Sequence, residues 1–310
     1  MSDKQPRKIV TVGGSGQCGT PTLAALLDMG IHTITAVTRV DSTSSFPPNV
    51  EVLRGSYDDT VFITSALQGQ DVLILHLSLM APSSVGLNFI DGATKVGIPW
   101  ILPSEFGCDT GNPKFRNEVL AVKEKDQYRE RIEQLGVSSW IGVVNNPWFS
   151  FSLKTGLFGI DILNRRARLY DDGTVKAITT TLPKVGKSVA ALLSLPDAQL
   201  AQFKNKFVYL SSFRVSQREI LDAVMRATAT SGRDWTVEKV SSVKVINAAK
   251  ERASAGDMSA VMEVLYGTVF TEGHGGDYEG TREIVNGLLG LEEEDFEEVV
   301  REVVRDIEKS

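Results

Sequence analysis

The sequence is poor in the residues that staple, ligate or neutralise. Its 310 residues include two cysteines, Cys18 and Cys108, and three histidines, His32, His76 and His274. Two cysteines make no disulfide framework and fit a reducing compartment. The histidines have no metal-ligand spacing, so no metal is expected. His76, inside an apolar run, reads as a satisfied core histidine. Lys and Arg number 33 against 39 Asp and Glu, a net charge of −6. Without a basic surplus to neutralise phosphates, a nucleic-acid partner is not expected. No apolar stretch approaches the roughly 20 residues of a membrane-spanning helix. The start MSDKQPRKIV carries charges but no apolar h-region, so no leader and no membrane partner are expected and the cytoplasm is the default. None of the six tyrosines has a lysine four residues later, which removes the Tyr–Lys acid–base pair at helical spacing. No G-x-S-x-G elbow, solenoid-length repeat or low-complexity tract is present.

What is present starts with Lys8 to Gly19, KIVTVGGSGQCG. A short apolar run breaks into a glycine-rich turn, and an apolar-periodic segment follows at once. Gly13 permits the tight turn, Gly16 lets the backbone approach a pyrophosphate, and Gly19 lets helix pack on strand. The free N–H groups and positive dipole end of the new helix then face an anion. Gly13, Ser15, Gly16, Gln17, Cys18 and Gly19 are therefore expected to cradle a dinucleotide.

From Gly19 the chain alternates strand and helix six times at short spacing, through Val144. Asp71 to Met80 is nearly continuously apolar, the mark of a buried parallel strand. Phe115 to Leu135 reads as one long helix. This rhythm predicts a doubly wound α/β parallel sheet. Residues 1–150 are assigned to the dinucleotide-binding domain. Residues 151–310 are assigned to a smaller α/β substrate region, with about 180–212 returning to the main sheet. FRVSQREILDAVMRAT reads as an amphipathic helix, with Ser216 and Glu219 at capping-box spacing. The last helix, from Leu291, has an apolar stripe from Phe296 to Ile307. The Gly-rich stretch from Tyr266 to Gly280 is a candidate lid.

Arg39 stands 20 residues after Gly19, at the end of the second strand. An arginine there accommodates the 2′-phosphate of NADP, whereas an acid bonds the ribose of NAD. Asp41, two residues on, is the competing acid, so NADP is favoured without NAD being removed. Asp58, Leu77 and Ser78 fall at strand ends where ligands of parallel sheets sit. In the long helix an apolar stripe runs Val122, Tyr128, Ile132 and Leu135, and Lys125 occupies the remaining place on that face. Burial lowers a lysine's pKa toward neutrality, which suits proton transfer. The other reading is a stem lying on apolar surface with its ammonium in water. Arg129, one turn on, shares roughly the same side. Trp148, Phe149, Phe151 and Phe158 form either an apolar substrate wall or plain core.

Together GGSGQCG, the strand-end Arg39, LPSEFG at Leu102 to Gly107, and Lys125 with Arg129 inside KDQYRERIEQLGV resemble the NmrA-like, isoflavone reductase-like family of atypical short-chain dehydrogenases. That family includes the phenylcoumaran benzylic ether reductases, and the wording is closer to its fungal than its plant members. The resemblance is strong over the first ~150 residues and loose beyond. It implies a Rossmann fold, NADPH as hydride donor, Lys125 as general acid/base and Arg129 near the substrate. Ser104 and Phe106 of LPSEFG and Asn145 after the sixth strand join the implied cofactor contacts. Asn146, Trp148 and Phe149 join the substrate contacts. Plant members usually carry a lysine in the loop after the strand-end arginine, and DSTSSFPPN has none. The expected activity is NADPH-dependent reduction of a small aromatic or polycyclic molecule by a monomer or homodimer. A dinucleotide-binding redox sensor without turnover is the alternative.

Overall fold

The computed structural model describes residues 4–123 and 125–309. The chain enters through β1 (Lys8–Val12), turns into α1 (Gly19–Asp28), and adds β2 (Thr33–Thr38), β3 (Val50–Arg54) and α2 (Thr60–Leu67). It then lays down β4 (Val72–Leu75), α3 (Ser83–Val96), β5 (Trp100–Leu102), α4 (Pro113–Glu118), α5 (Lys125–Leu135) and β6 (Ser139–Val144). Next come α6 (Phe149–Lys154), β7 (Ile160–Asp161), β8 (Arg166–Tyr170), β9 (Lys176–Thr179), α7 (Leu182–Leu193) and α8 (Asp197–Leu200). The remainder is β10 (Lys206–Tyr209), β11 (Phe213–Ser216), α9 (Gln217–Ala227), β12 (Thr236–Val240), α10 (Ser242–Ser254), α11 (Met258–Val269) and α12 (Phe296–Glu308). No helix among the described residues is long and apolar enough to cross a membrane.

Seven strands form one parallel sheet in the order β10-β6-β5-β4-β1-β2-β3. This is the doubly wound α/β fold expected from the alternation. Both faces are covered, which is why the strands carry apolar residues at successive positions. Ile9, Val72 and Ile74 face α1 and α7, while Val10, Leu73 and Leu75 face α2, α3 and α5. α1 and α7 lie unusually close because Gly186 has no side chain: a Cβ there would stand 2.3 Å from the Pro21 carbonyl oxygen. The strand order reverses between β1 and β4, so a crevice opens at their carboxyl ends.

Outside the main sheet, β9 pairs with β11 antiparallel, and β12, β8 and β7 make a small three-stranded sheet. A separate apolar cluster there joins Phe149, Phe158, Phe213, Val245 and Val300. Several element boundaries differ from the sequence reading: the strand read over Asp71–Met80 is Val72–Leu75, and the last helix, read from Leu291, starts at Phe296. Phe213–Ser216 is a strand, and the helix starts at Gln217; the capping box between Ser216 and Glu219 forms as the spacing predicts. The helix expected over Phe115–Leu135 is broken at Val119, whose φ of −106° and ψ of 81° leave the helical region. Phe115, Val119 and Val122 pack with the outlying cluster, whereas Tyr128 and Ile132 pack under the parallel sheet. One straight helix does not present a single stripe to two cores. Glu124, inside that span, lies outside the described residues.

Candidate active site

The glycine turn is built as a cradle. Gly13 adopts a left-handed φ of 78°, and a Cβ on it would lie 2.2 Å from the His76 carbonyl oxygen. A Cβ on Gly19 would lie 2.4 Å from the Gly13 oxygen. The turn closes through Gly16 N donating to Gly13 O at 3.0 Å. α1 begins with Cys18 at its N-cap and no side-chain cap, so its first N–H groups have no side-chain acceptor. Ser15, Gly16 and Gln17 are exposed at this mouth. Cys18 is buried, and burial pushes its thiol up to about 12, which keeps it protonated and makes it a packing residue.

Strand ends supply the rest of the crevice. Arg39, just past β2, is exposed and pairs with Asp41, Nε to Oδ1 3.4 Å. The two rivals for the ribose position thus sit together. Asp58 and Ser78 are exposed, and Leu77 is half-buried. Ser104 donates its hydroxyl to the Leu77 carbonyl at 2.9 Å, tying the loop after β5 to the loop after β4. Phe106 packs against His76 with the rings tilted at 40°, centroids 4.3 Å apart. His76 is not the satisfied histidine the sequence suggested: both ring nitrogens are buried without a hydrogen-bond partner. Burial pushes its pKa down to about 3, so the ring is neutral at physiological pH.

After β6, the N–H groups of Asn145 and Asn146 both donate to the Gly107 carbonyl, at 3.0 and 2.9 Å. Asn146 takes a left-handed φ of 53°, a conformation Asn tolerates better than most residues. Its amide nitrogen donates to the Gly276 carbonyl at 2.6 Å. The side-chain oxygens of Asn145 and Asn146, the Trp148 indole N–H and the Thr180 hydroxyl are buried and unpartnered. Buried polar atoms are normally bonded, so these four atoms on adjoining segments are candidate contacts for a ligand or an ordered water.

Lys125 opens α5 and donates its ammonium to the Glu105 backbone carbonyl at 3.2 Å. Desolvation lowers its pKa below the ordinary lysine range. The Glu105 charge opposes that shift, and the Arg129 charge adds to it. Lys125 is half-buried, with its ammonium turned to the Glu105 carbonyl. Glu105 itself escaped the sequence reading, although an acid inside the apolar LPSEFG run was a signal. It is fully buried, accepts from the Thr110 hydroxyl at 2.8 Å and forms an ion pair with Arg129.

Three expected substrate contacts are corrected by the packing. The Arg129 guanidinium is bonded to Glu105, Asp126 and Thr110 and lies over the rings of Trp140 and Phe207, 5.7 and 5.0 Å from their centroids. Its guanidinium is thus held inside the protein by an ion pair, in place of the expected open substrate contact. Phe149 is fully enclosed by Phe158, Phe213 and Phe296, so it and Phe158 are core. Trp148 and Phe151, half-buried and edge-to-face at 5.8 Å, remain available. The Tyr266–Gly280 stretch is pinned: Gly276 O also accepts from Ile178 N at 2.8 Å, and buried Tyr278 donates its hydroxyl to Leu210 O. An open cavity of about 520 Å³ lies elsewhere, among Leu157, Arg168, Tyr170, Met262 and Tyr266, and contains none of the expected site residues.

The model of the NmrA-like family matches residues 5–264. The oxidoreductase poxI of Penicillium oxalicum is 31% identical over 320 residues, covering 97% of this chain and 95% of its own. Among solved structures, AtPrR2 with NADP+ and (+)pinoresinol superposes with a TM-score of 0.80 at 19% identity, covering 96% of this chain and 99% of that one. Isoflavone reductase superposes with a TM-score of 0.77 at 18% identity, covering 97% and 100%. At these identities the two structures are a likeness of fold. The higher identity to the fungal protein agrees with the fungal wording of the motifs. The chain belongs to the NmrA-like family and is an oxidoreductase.

Proposed function

We propose that the protein is an NADPH-dependent reductase of a small aromatic or polycyclic molecule, with Lys125 as general acid/base. The observation that carries this reading is a desolvated lysine ammonium, its pKa lowered, bonded to a loop that closes the same crevice as the uncapped α1 turn. The residues fit a dinucleotide: Gly13 and Gly19 keep clear the space a Cβ would fill, and the mouth of α1 offers N–H groups to a pyrophosphate. NADP+ in the pinoresinol neighbour supports the choice of cofactor.

Bound there, the cofactor would supply hydride. Gly13, Ser15, Gly16, Gln17, Cys18 and Gly19 would surround the pyrophosphate, and Arg39 and Asp58 the adenosine. Leu77, Ser78, Ser104, Phe106 and Asn145 would line the nicotinamide half. The substrate would rest against Asn146 and Trp148. Lys125 Nζ, held by the Glu105 carbonyl, would deliver a proton to the atom that gains negative charge. In this reading residues 1–150 bind the cofactor and 151–310 shape the substrate side.

The test is NADPH oxidation by the full chain against quinones, enones, cyclic imines and benzylic ethers, with Lys125→Ala beside it. The expected result is wild-type turnover that falls by about 10²–10⁴-fold in the variant while NADPH still binds. Wild-type turnover should also decline as pH rises through the lowered lysine pKa, because the donating form is the protonated one. Turnover that survives in the variant would remove Lys125 from the chemistry. Redox-selective dinucleotide binding with no turnover on any acceptor would favour a sensor.

A further inference from the structure

The adenosine end of the crevice has an electrostatic deficit. Arg39, the residue placed to meet a 2′-phosphate, is already paired with Asp41, and the two charges cancel. Residues 41–49, which follow, contain no lysine or arginine. A dianionic phosphate brought against a neutral exposed pair gains little.

The neighbouring strand carries the missing charge. Arg54 ends β3 in register with Thr38, and so stands at the carboxyl edge of the sheet beside Arg39. Its Nη1 donates to the Ser42 carbonyl at 2.7 Å and its Nη2 to the Ser44 carbonyl at 3.0 Å. The Ser44 hydroxyl in turn receives a hydrogen bond from Ser15 of the glycine turn at 3.0 Å. The arginine is exposed, and among the described residues no carboxylate is paired with it. A fixed, unneutralised guanidinium is thereby held against the loop that flanks Arg39.

We infer that Arg54 is a specificity residue, which with Arg39 holds the 2′-phosphate of NADPH and disfavours NADH; this rests on the cofactor reading proposed above. Its charge turns a neutral pair into a net positive site. Its planar fork, satisfied by two carbonyls, fixes the loop so that the hydroxyls of Ser42, Ser44 and Ser15 border that site. A residue that only stapled the loop would support both dinucleotides equally, and this separates the two roles.

The experiment measures calorimetric binding of adenosine 2′,5′-bisphosphate and of 5′-AMP to the full chain, which isolates the 2′-phosphate from any hydride acceptor. Wild type is expected to prefer the bisphosphate, with the preference shrinking as salt rises. Arg54→Ala is expected to weaken bisphosphate binding about ten-fold and to leave 5′-AMP within about two-fold. Arg54→Lys, which keeps the charge without the fork, should retain part of the preference. Equal weakening of both ligands in Arg54→Ala, or a preference that survives it, overturns the assignment. A wild type without preference overturns both Arg54 and the choice of NADP. Arg54-dependent preference without NADPH turnover on any acceptor overturns the reductase reading and leaves Arg54 standing.

Discussion

Lys125 donates to the Glu105 backbone carbonyl, and desolvation lowers its pKa against the opposing pull of the Glu105 charge. The Glu105 carboxylate is occupied by Arg129 and Thr110, so its pull on the ammonium is outweighed by desolvation. His76 is a second perturbed group, with a pKa of about 3 in the fold against 6.5 ordinarily. The folded state binds its proton less readily than the unfolded chain. Its contribution to stability is therefore complete above pH 6.5 and is lost as pH falls from there toward 3. His76→Leu should flatten part of that acid-side fall, measured by urea unfolding at pH 7, 5.5 and 4.5. His32, lowered to about 4 chiefly by burial, titrates in the same window and would leave a residual slope. An unchanged pH dependence in His76→Leu would show that the imidazole titrates alike in the folded and unfolded states, against the lowered pKa.

The loop after β5 organises its neighbours. Ser104 fastens it to the β4 loop, Gly107 O accepts both asparagine N–H groups after β6, and Glu105 anchors the start of α5 through Arg129. Removing one partner of a buried ion pair leaves an uncompensated charge, at a cost of about 3–5 kcal/mol. Arg129→Met should lose stability on that order in thermal or urea melts. Glu105→Gln combined with Arg129→Met should recover much of it, because no charge is then stranded. Equal losses in the single and double variants would mean that the ring contacts of Arg129, not its charge, hold the loop. The motif LPSEFG was visible in the sequence, but its role was not, because the partners of Glu105 lie 5 and 24 residues away.

For the molecule as a whole, the unpartnered atoms around the crevice and the open mouth of α1 predict that a dinucleotide stabilises the fold. A ligand that binds only the native state adds about 2.7 kcal/mol at 100 times its dissociation constant. NADPH at that level should raise the melting temperature clearly, and NADH at the same concentration should raise it less. A melting temperature unmoved by either cofactor would contradict the dinucleotide reading.

The parallel sheet and its glycine turn were legible in one dimension, because strand and helix periods and the strand–turn–helix setting are local properties. Trp148 and Phe149 were not separable that way, since two adjacent aromatics look alike until Phe149 meets Phe158, Phe213 and Phe296 and Trp148, half-buried, packs against a different cluster. Arg129 shares Lys125's side of the helix, yet the fold sends one guanidinium into a buried acid and one ammonium to a carbonyl. The break at Val119 and the pinning of Gly276 likewise depend on partners distant in the chain. Periodicity assigns a residue to a face; which atoms wait on that face is decided only when the long-range contacts form.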